Sequence, residues 1–127
     1  MKKILIVDDQ MSWQSFNKNA VYKVLGENLV LNTASSAYDG YNLLLENIET
    51  PFDIIITDMQ MEEDFAPKMA GEWLIEQAKN LSQYKNTKII IVSATANIKH
   101  IAESYGVNYI PKSVAVASLD VYKLLLL

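Results

Sequence analysis

Ile4-Leu5-Ile6-Val7-Asp8-Asp9 and Ile54-Ile55-Ile56-Thr57-Asp58 are the two stretches that decide how this chain is read. Each is a short aliphatic run, rich in β-branched residues, that ends abruptly in acid. Such a run suits a strand buried on both faces of a parallel sheet, so each carboxylate is expected where a strand leaves the core. In open α/β sheets that edge is where ligands bind. If the two strands are neighbours, Asp8, Asp9 and Asp58 converge. Two unneutralised carboxylates about 4 Å apart repel by about 4 kcal/mol at an effective dielectric of ~20. A cation is expected to relieve them.

Outward from these runs the chain alternates. Trp13, Phe16, Ala20, Val21 and Val24 recur at helical spacing, and Gly26 supplies a stop. Residues 29–34 read as a second strand. Ser36 opens a helix with Asp39 three residues on, a weak capping box, and with Tyr41, Leu44, Leu45 and Ile48 as its buried stripe, closed by Thr50-Pro51. Residues 53–57 form the third strand. A polar loop over 59–70 leads to a helix that turns Trp73, Leu74, Ala78 and Leu81 inward. Residues 88–92 make the fourth strand, 97–105 a short helix ending at Gly106, 107–110 the fifth strand, and 114–126 a final helix. Five βα units predict a parallel sheet with helices on both faces, in one domain over residues 1–127.

Composition narrows the function classes. The chain has 127 residues, half of them hydrophobic, which suits one domain with a real core. Without cysteine it has neither a disulfide framework nor a thiolate metal site. Met1-Lys2-Lys3 has the basic start of a signal peptide, but only the run Ile4 to Val7 follows before Asp8, too short for its apolar segment. Leu124-Leu125-Leu126-Leu127 is equally short of a membrane span. A cytoplasmic protein without membrane attachment is expected. The net charge is −4, and all 11 basic residues are scattered lysines. Lacking arginine forks for phosphates or guanine edges, the chain is not expected to bind nucleic acid directly.

Four motifs in order now resemble a known family. KILIVDDQ, FDIIITDMQM, IIIVSA and YIPKS resemble the strand ends of the receiver domain of two-component response regulators, of the kind found in chemotaxis regulators, over essentially the whole chain. The resemblance implies a flavodoxin-like, doubly wound five-stranded sheet in the order 2-1-3-4-5. It also implies a signalling switch rather than an enzyme, with only self-phosphorylation and slow self-dephosphorylation of its own.

The chemistry is consistent with that role. A carboxylate can attack a phosphoryl group only if the repulsion between anions is neutralised, as a divalent cation with oxygen ligands does. Asp58 is the candidate phosphoacceptor. Asp8 and Asp9 would hold Mg²⁺ (or Mn²⁺) with Asp58 and, as the resemblance implies, the main-chain carbonyl of Gln60. Mg²⁺ and the ammonium of Lys112 together cancel three carboxylates. An acyl phosphate then adds about one further negative charge, for which the Ser93 hydroxyl is a donor. Ala94 is small enough to leave an opening for a phosphodonor. The resemblance implies that Tyr109 turns into the space vacated by the Ser93 loop, altering a protein-binding face. In this family Gln60 and Thr95 flank the path of an attacking water and tune the phosphoryl lifetime. The implied partners are a sensor histidine kinase or phosphotransfer protein, and a downstream protein or an effector domain outside this chain.

Taken singly, these residues have plainer readings. Asp8 or Asp9 would cap the first helix, Lys112 would be solvated, Ser93 a loop serine and Tyr109 a half-buried amphipathic side chain. Trp13 and Trp73 read as core, His100 as surface and Asp53 as ordinary loop polarity. The chain also departs from the family pattern. Met61 stands where a proline is usual, followed by a longer loop from Glu62 to Ala70 that is expected to carry an insertion of about five residues. Its Glu62, Glu63 and Asp64 read as solvated more readily than as second carboxylates near the metal. The segment from Ser93 to Lys112 is short, so the fourth helix is expected to be reduced. Ser113 after Lys112 replaces the customary proline, removing the basis for a cis peptide there.

Three rival functions follow. An aspartate-nucleophile phosphohydrolase needs an acid two residues beyond its nucleophile, where this chain has Gln60 or Gln10. A nucleotide or flavin binder needs a glycine- or hydroxyl-rich loop after the first strand, where Asp8-Asp9 would repel phosphate. A receiver-like docking module that takes no phosphate is the closest alternative.

Overall fold

A computed structural model describes all 127 residues. Its strands are β1 (Lys2–Val7), β2 (Leu29–Ala34), β3 (Ile54–Thr57), β4 (Lys88–Ser93) and β5 (Asn108–Pro111). All neighbours pair in parallel, in the order β2-β1-β3-β4-β5. The doubly wound architecture is thus the expected one. The helices are α1 (Met11–Leu25), α2 (Ala37–Glu46), α3 (Ala70–Asn80), α4 (Ile98–Tyr105) and α5 (Lys112–Ala117). No helix is long and apolar enough to cross a membrane.

The unbroken aliphatic runs follow from the two-sided burial of the sheet. Alternate residues point to opposite faces. Leu5, Val7, Ile55, Ile89 and Ile91 therefore join Leu44, Leu74, Ile75 and Ile101 from α2, α3 and α4 in one core layer. Ile4, Ile6, Ile54, Ile56, Ile90 and Val92 join Val21, Ala115 and Tyr122 in the other, on the side of α1 and α5. Register aligns the carboxyl ends: Val7 pairs with both Ala34 and Thr57, and Ser93 with Pro111.

Two elements differ from expectation. The final helix does not run to residue 126; α5 stops at Ala117, and a 3-10 segment takes Leu119–Leu126. Ser118 is extended (φ −157°) and its hydroxyl accepts a hydrogen bond from the Asp120 N–H, so it starts a new helical segment instead of continuing the old one. Threefold winding then places Tyr122 and Leu125 on the same buried side. Asp53 is likewise more than loop polarity, because its carboxylate accepts the Lys3 N–H at 2.8 Å and ties the start of β3 to β1. Helix α4 is short, as expected, and ends on Gly106, whose φ of +67° is a conformation that favours glycine. The Lys112–Ser113 peptide is trans; Ala66–Pro67 is the chain's cis peptide.

The loop over residues 59–70 folds down onto the domain. Glu62 is not solvated: its carboxylate accepts from the N–H groups of Ala37 at 2.7 Å and Tyr38 at 3.3 Å, while Ser36 accepts from Asp39. The first three amides of α2 are thus satisfied, two of them from a distant loop, and the carboxylate sits at the positive end of the helix. Phe65 stacks on Trp73 at 4.5 Å and meets Tyr38 at 4.9 Å. Lys68 pairs with Glu76, which also accepts from the Tyr105 hydroxyl at 2.8 Å. Glu63 and Asp64 are exposed, as read from sequence.

Lys68 is the main reason the Glu76 carboxyl is held below its ordinary value of 4.5, burial opposing and Tyr105 assisting. With the folded value below the unfolded one, that contribution is present above the unfolded value and is lost as pH falls through the folded one. Glu76→Gln is therefore expected to be less stable than wild type at neutral pH by up to about 1 kcal/mol in urea unfolding. The difference should close as the pH drops below about 4.

Candidate functional site

The backbone ladder itself delivers the acidic residues to one place. The Asp8 N–H donates to the Ala34 carbonyl and the Asp58 N–H to the Val7 carbonyl, each at 3.0 Å, so each aspartate is held by the neighbouring strand. Asp8 and Asp58 are buried and Asp9 is exposed; one carboxylate oxygen from each lies within 4.8 Å of the others. Ser93 ends β4, and Lys112 opens α5 directly after β5.

Lys112 reaches across this group. Its ammonium donates to Asp58 Oδ2 at 3.0 Å and lies 3.2 Å from Asp8 Oδ2. The other oxygens are held by main chain: Asp58 Oδ1 accepts from the Met59 N–H at 2.7 Å, and Asp8 Oδ1 from the Gln10 N–H at 2.9 Å. The contact between Lys112 and Asp8 Oδ2 has ion-pair distance but not hydrogen-bond alignment, so this buried oxygen has no donor. Burial raises the Asp8 pKa; the Gln10 N–H opposes the rise, the Asp58 charge adds to it and Lys112 opposes it. Three carboxylates against one ammonium leave an excess of negative charge and an unused buried oxygen. That donor set fits a hard divalent cation with oxygen ligands.

An open cavity of about 410 Å³ lies over the cluster, with Gln60 and Ala94 on its rim. Ser93 Oγ lies in its wall, 2.9 Å from Thr95 Oγ1 and accepting from the Thr95 N–H at 3.2 Å. Thr95 in turn touches Met69 Sδ at 3.9 Å. Tyr109 is half-buried and packs against the α4 side of the core, away from the cavity lining. His100 is exposed, as expected.

Sequence comparison agrees with this geometry. The response regulator receiver domain family matches residues 4–121. The chain belongs to that family. No curated protein matches it in sequence. Among solved structures, this receiver domain is similar to the chemotaxis response regulator CheY4 of Vibrio cholerae, with 24% identity, a TM-score of 0.65, and coverage of 88% of this chain and 87% of that one. It is also similar to the phosphorylated cyanobacterial phytochrome response regulator RcpA, with 16% identity, a TM-score of 0.77, and coverage of 98% and 90%. The signal receiver domain of a DNA binding response regulator from Colwellia psychrerythraea 34H aligns with 17% identity, a TM-score of 0.75, and coverage of 99% and 98%. At such identities the likeness is one of fold.

Several residues of this receiver site carried no signal that sequence reading used. Trp13, read as core, is half-buried in the cavity wall, and the Lys112 ammonium lies 4.8 Å from its ring centroid. Its place in the first turn of the helix after Asp8-Asp9 was the available clue. Gln14 donates to the Asp8 carbonyl at 2.7 Å and to Ser35 Oγ at 3.1 Å, clamping two strand ends. Gly71 lies so close beneath Asp58 that an added Cβ would meet the Asp58 carbonyl oxygen at 2.1 Å and Met59 Cα at 2.8 Å.

Gly71→Ala is thus expected to destabilise the domain by about 1–3 kcal/mol or more in denaturant unfolding, since backbone must move to admit the methyl group. Asp8→Asn should do the opposite in metal-free protein. A raised carboxyl pKa gives stability that is present below the ordinary value of 3.8 and is lost as pH rises through the folded value. Removing the charge is therefore expected to raise the melting temperature at neutral pH.

Proposed function

We infer that this receiver domain is a phosphoryl-accepting switch in which Asp58 is modified. The observation that carries the reading is the state of that carboxylate: buried, with Oδ1 held by the Met59 N–H and Oδ2 by Lys112, beneath an open cavity and beside the unpaired Asp8 oxygen. The group is oriented and reachable.

Asp8, Asp9, Asp58 and the main-chain carbonyl of Gln60 would hold Mg²⁺, with Mn²⁺ as a substitute. When bound, the ion supplies charge neutralisation and orients phosphoryl oxygens. A sensor histidine kinase or phosphotransfer protein is the donor class. An Asp58 carboxylate oxygen forms the new bond to phosphorus as the N–P bond of a phosphohistidine breaks; the bonding pair stays on that nitrogen, and the imidazole leaves neutral because its other ring nitrogen already carries a proton. Lys112 stays beside the new acyl phosphate and offsets part of its charge of about −1.5 to −2. Ser93, now facing Thr95, supplies a further donor once its hydroxyl turns. Tyr109 follows that loop and changes the surface beside α4. Gln60 and Thr95 set how readily water reaches the phosphoryl group.

The output passes to a protein target, or to an effector domain beyond this chain, in the cytoplasm. With no arginine to read nucleic acid, any DNA-directed effect requires that separate effector. The domain spans residues 1–127 as one functional unit and turns over no substrate besides its own phosphoryl group.

Incubation with a small phosphodonor and Mg²⁺ is expected to add a single phosphoryl group by intact mass, and none to Asp58→Asn. No adduct on wild type would favour a phosphate-independent docking module, and an equal adduct on Asp58→Asn would overturn the assignment of the acceptor.

A further inference from the structure

Lys112 is boxed in on more than its carboxylate side. Its side chain is only 11% exposed, and the Trp13 ring faces the ammonium at 4.8 Å, inside the range in which a ring face attracts a cation. An ammonium has three donors. One goes to Asp58, the contact with Asp8 is misaligned, and the indole covers ground that water would otherwise hold. The ring cannot drift. Phe16, on the same helix, meets it at 4.8 Å, and Phe16 itself lies 6.3 Å from the fully buried Tyr122 of the C-terminal segment. An aromatic file thus runs from the second core layer to the ammonium and ends there.

We propose that Trp13 is a positioning residue: its ring face holds the Lys112 ammonium over Asp58 and keeps it from swinging out to solvent. A lysine needs such a brace where an arginine would not, because its charge is compact, strongly hydrated and carried on four flexible methylenes. The inference rests on the switch reading and adds a determinant of its rate. The Trp13 indole makes no hydrogen bond to Asp8, Asp9 or Asp58, whose oxygens are met by Gln10, Met59 and Lys112; it acts through Lys112. Trp13→Leu therefore slows phosphoryl uptake by Asp58 while leaving Mg²⁺ affinity nearly unchanged.

The test compares wild type, Trp13→Phe and Trp13→Leu in the full chain, with a small phosphodonor at saturating Mg²⁺. Trp13→Leu is expected to take up phosphoryl roughly tenfold more slowly, the equivalent of ~1.4 kcal/mol, and Trp13→Phe to stay within about threefold of wild type. Mg²⁺ titration should give dissociation constants within about twofold across the set, since none of the ligand carboxylates is touched. Without phosphodonor, the Lys112 ε-methylene protons should show an upfield ring-current shift in wild type and Trp13→Phe that is lost in Trp13→Leu. An unchanged rate in Trp13→Leu, or equal slowing in Trp13→Phe, overturns the proposal. So does a fall in Mg²⁺ affinity matching the fall in rate, which marks general damage to the edge. No adduct on wild type is a different failure: it removes the switch reading, and any role for Trp13 in that reaction goes with it.

Discussion

Two buried carboxylates share one ammonium, and much of the sheet's carboxyl edge is arranged around that shortfall. Asp58 takes the aligned hydrogen bond from Lys112, so Asp8 is left with an ion-pair contact and a bare oxygen. Main-chain donors hold the opposite oxygen of each aspartate, and the neighbouring strand holds each backbone, so neither can turn away to relieve the repulsion. An arrangement of this kind is unfavourable by itself and becomes favourable on acquiring positive charge. The core tolerates it because the strands beneath are fully buried and stiff.

A series of contacts also leads from this edge to α4. Ser93 is the last residue of β4, and the residues after it reach Met69 through Thr95. Met69 starts α3, whose Glu72 and Glu76 are both bonded to the Tyr105 hydroxyl of α4. These contacts join the acidic edge to α4 by way of the loop before α3.

Strand ends and helix count could be read in the sequence because a parallel sheet imposes long aliphatic runs and puts acid directly after them, as at Val7-Asp8 and Thr57-Asp58. The set Asp8, Asp9, Asp58, Ser93 and Lys112 was visible through its order along the chain. The break at Ser118 was hidden, since a leucine-rich tail satisfies an α-helical stripe and a threefold 3-10 stripe almost equally well. Glu62 was hidden for a different reason: its partners are amides of α2, and no side-chain pattern records a backbone donor. Trp13 packs against the second core layer, as its helical spacing suggested, but its nearness to the Lys112 ammonium was hidden, because only the three-dimensional position of Lys112 records it.

The clasp between Glu62 and the start of α2 makes the loop before α3 part of the domain's construction. A carboxylate from 25 residues downstream closes that helix end, and Phe65 seals the same corner against Trp73. Trimming the loop to a shorter turn would leave the amides of Ala37 and Tyr38 without these acceptors. Loop and helix end are thus one construction, and shortening the first uncaps the second.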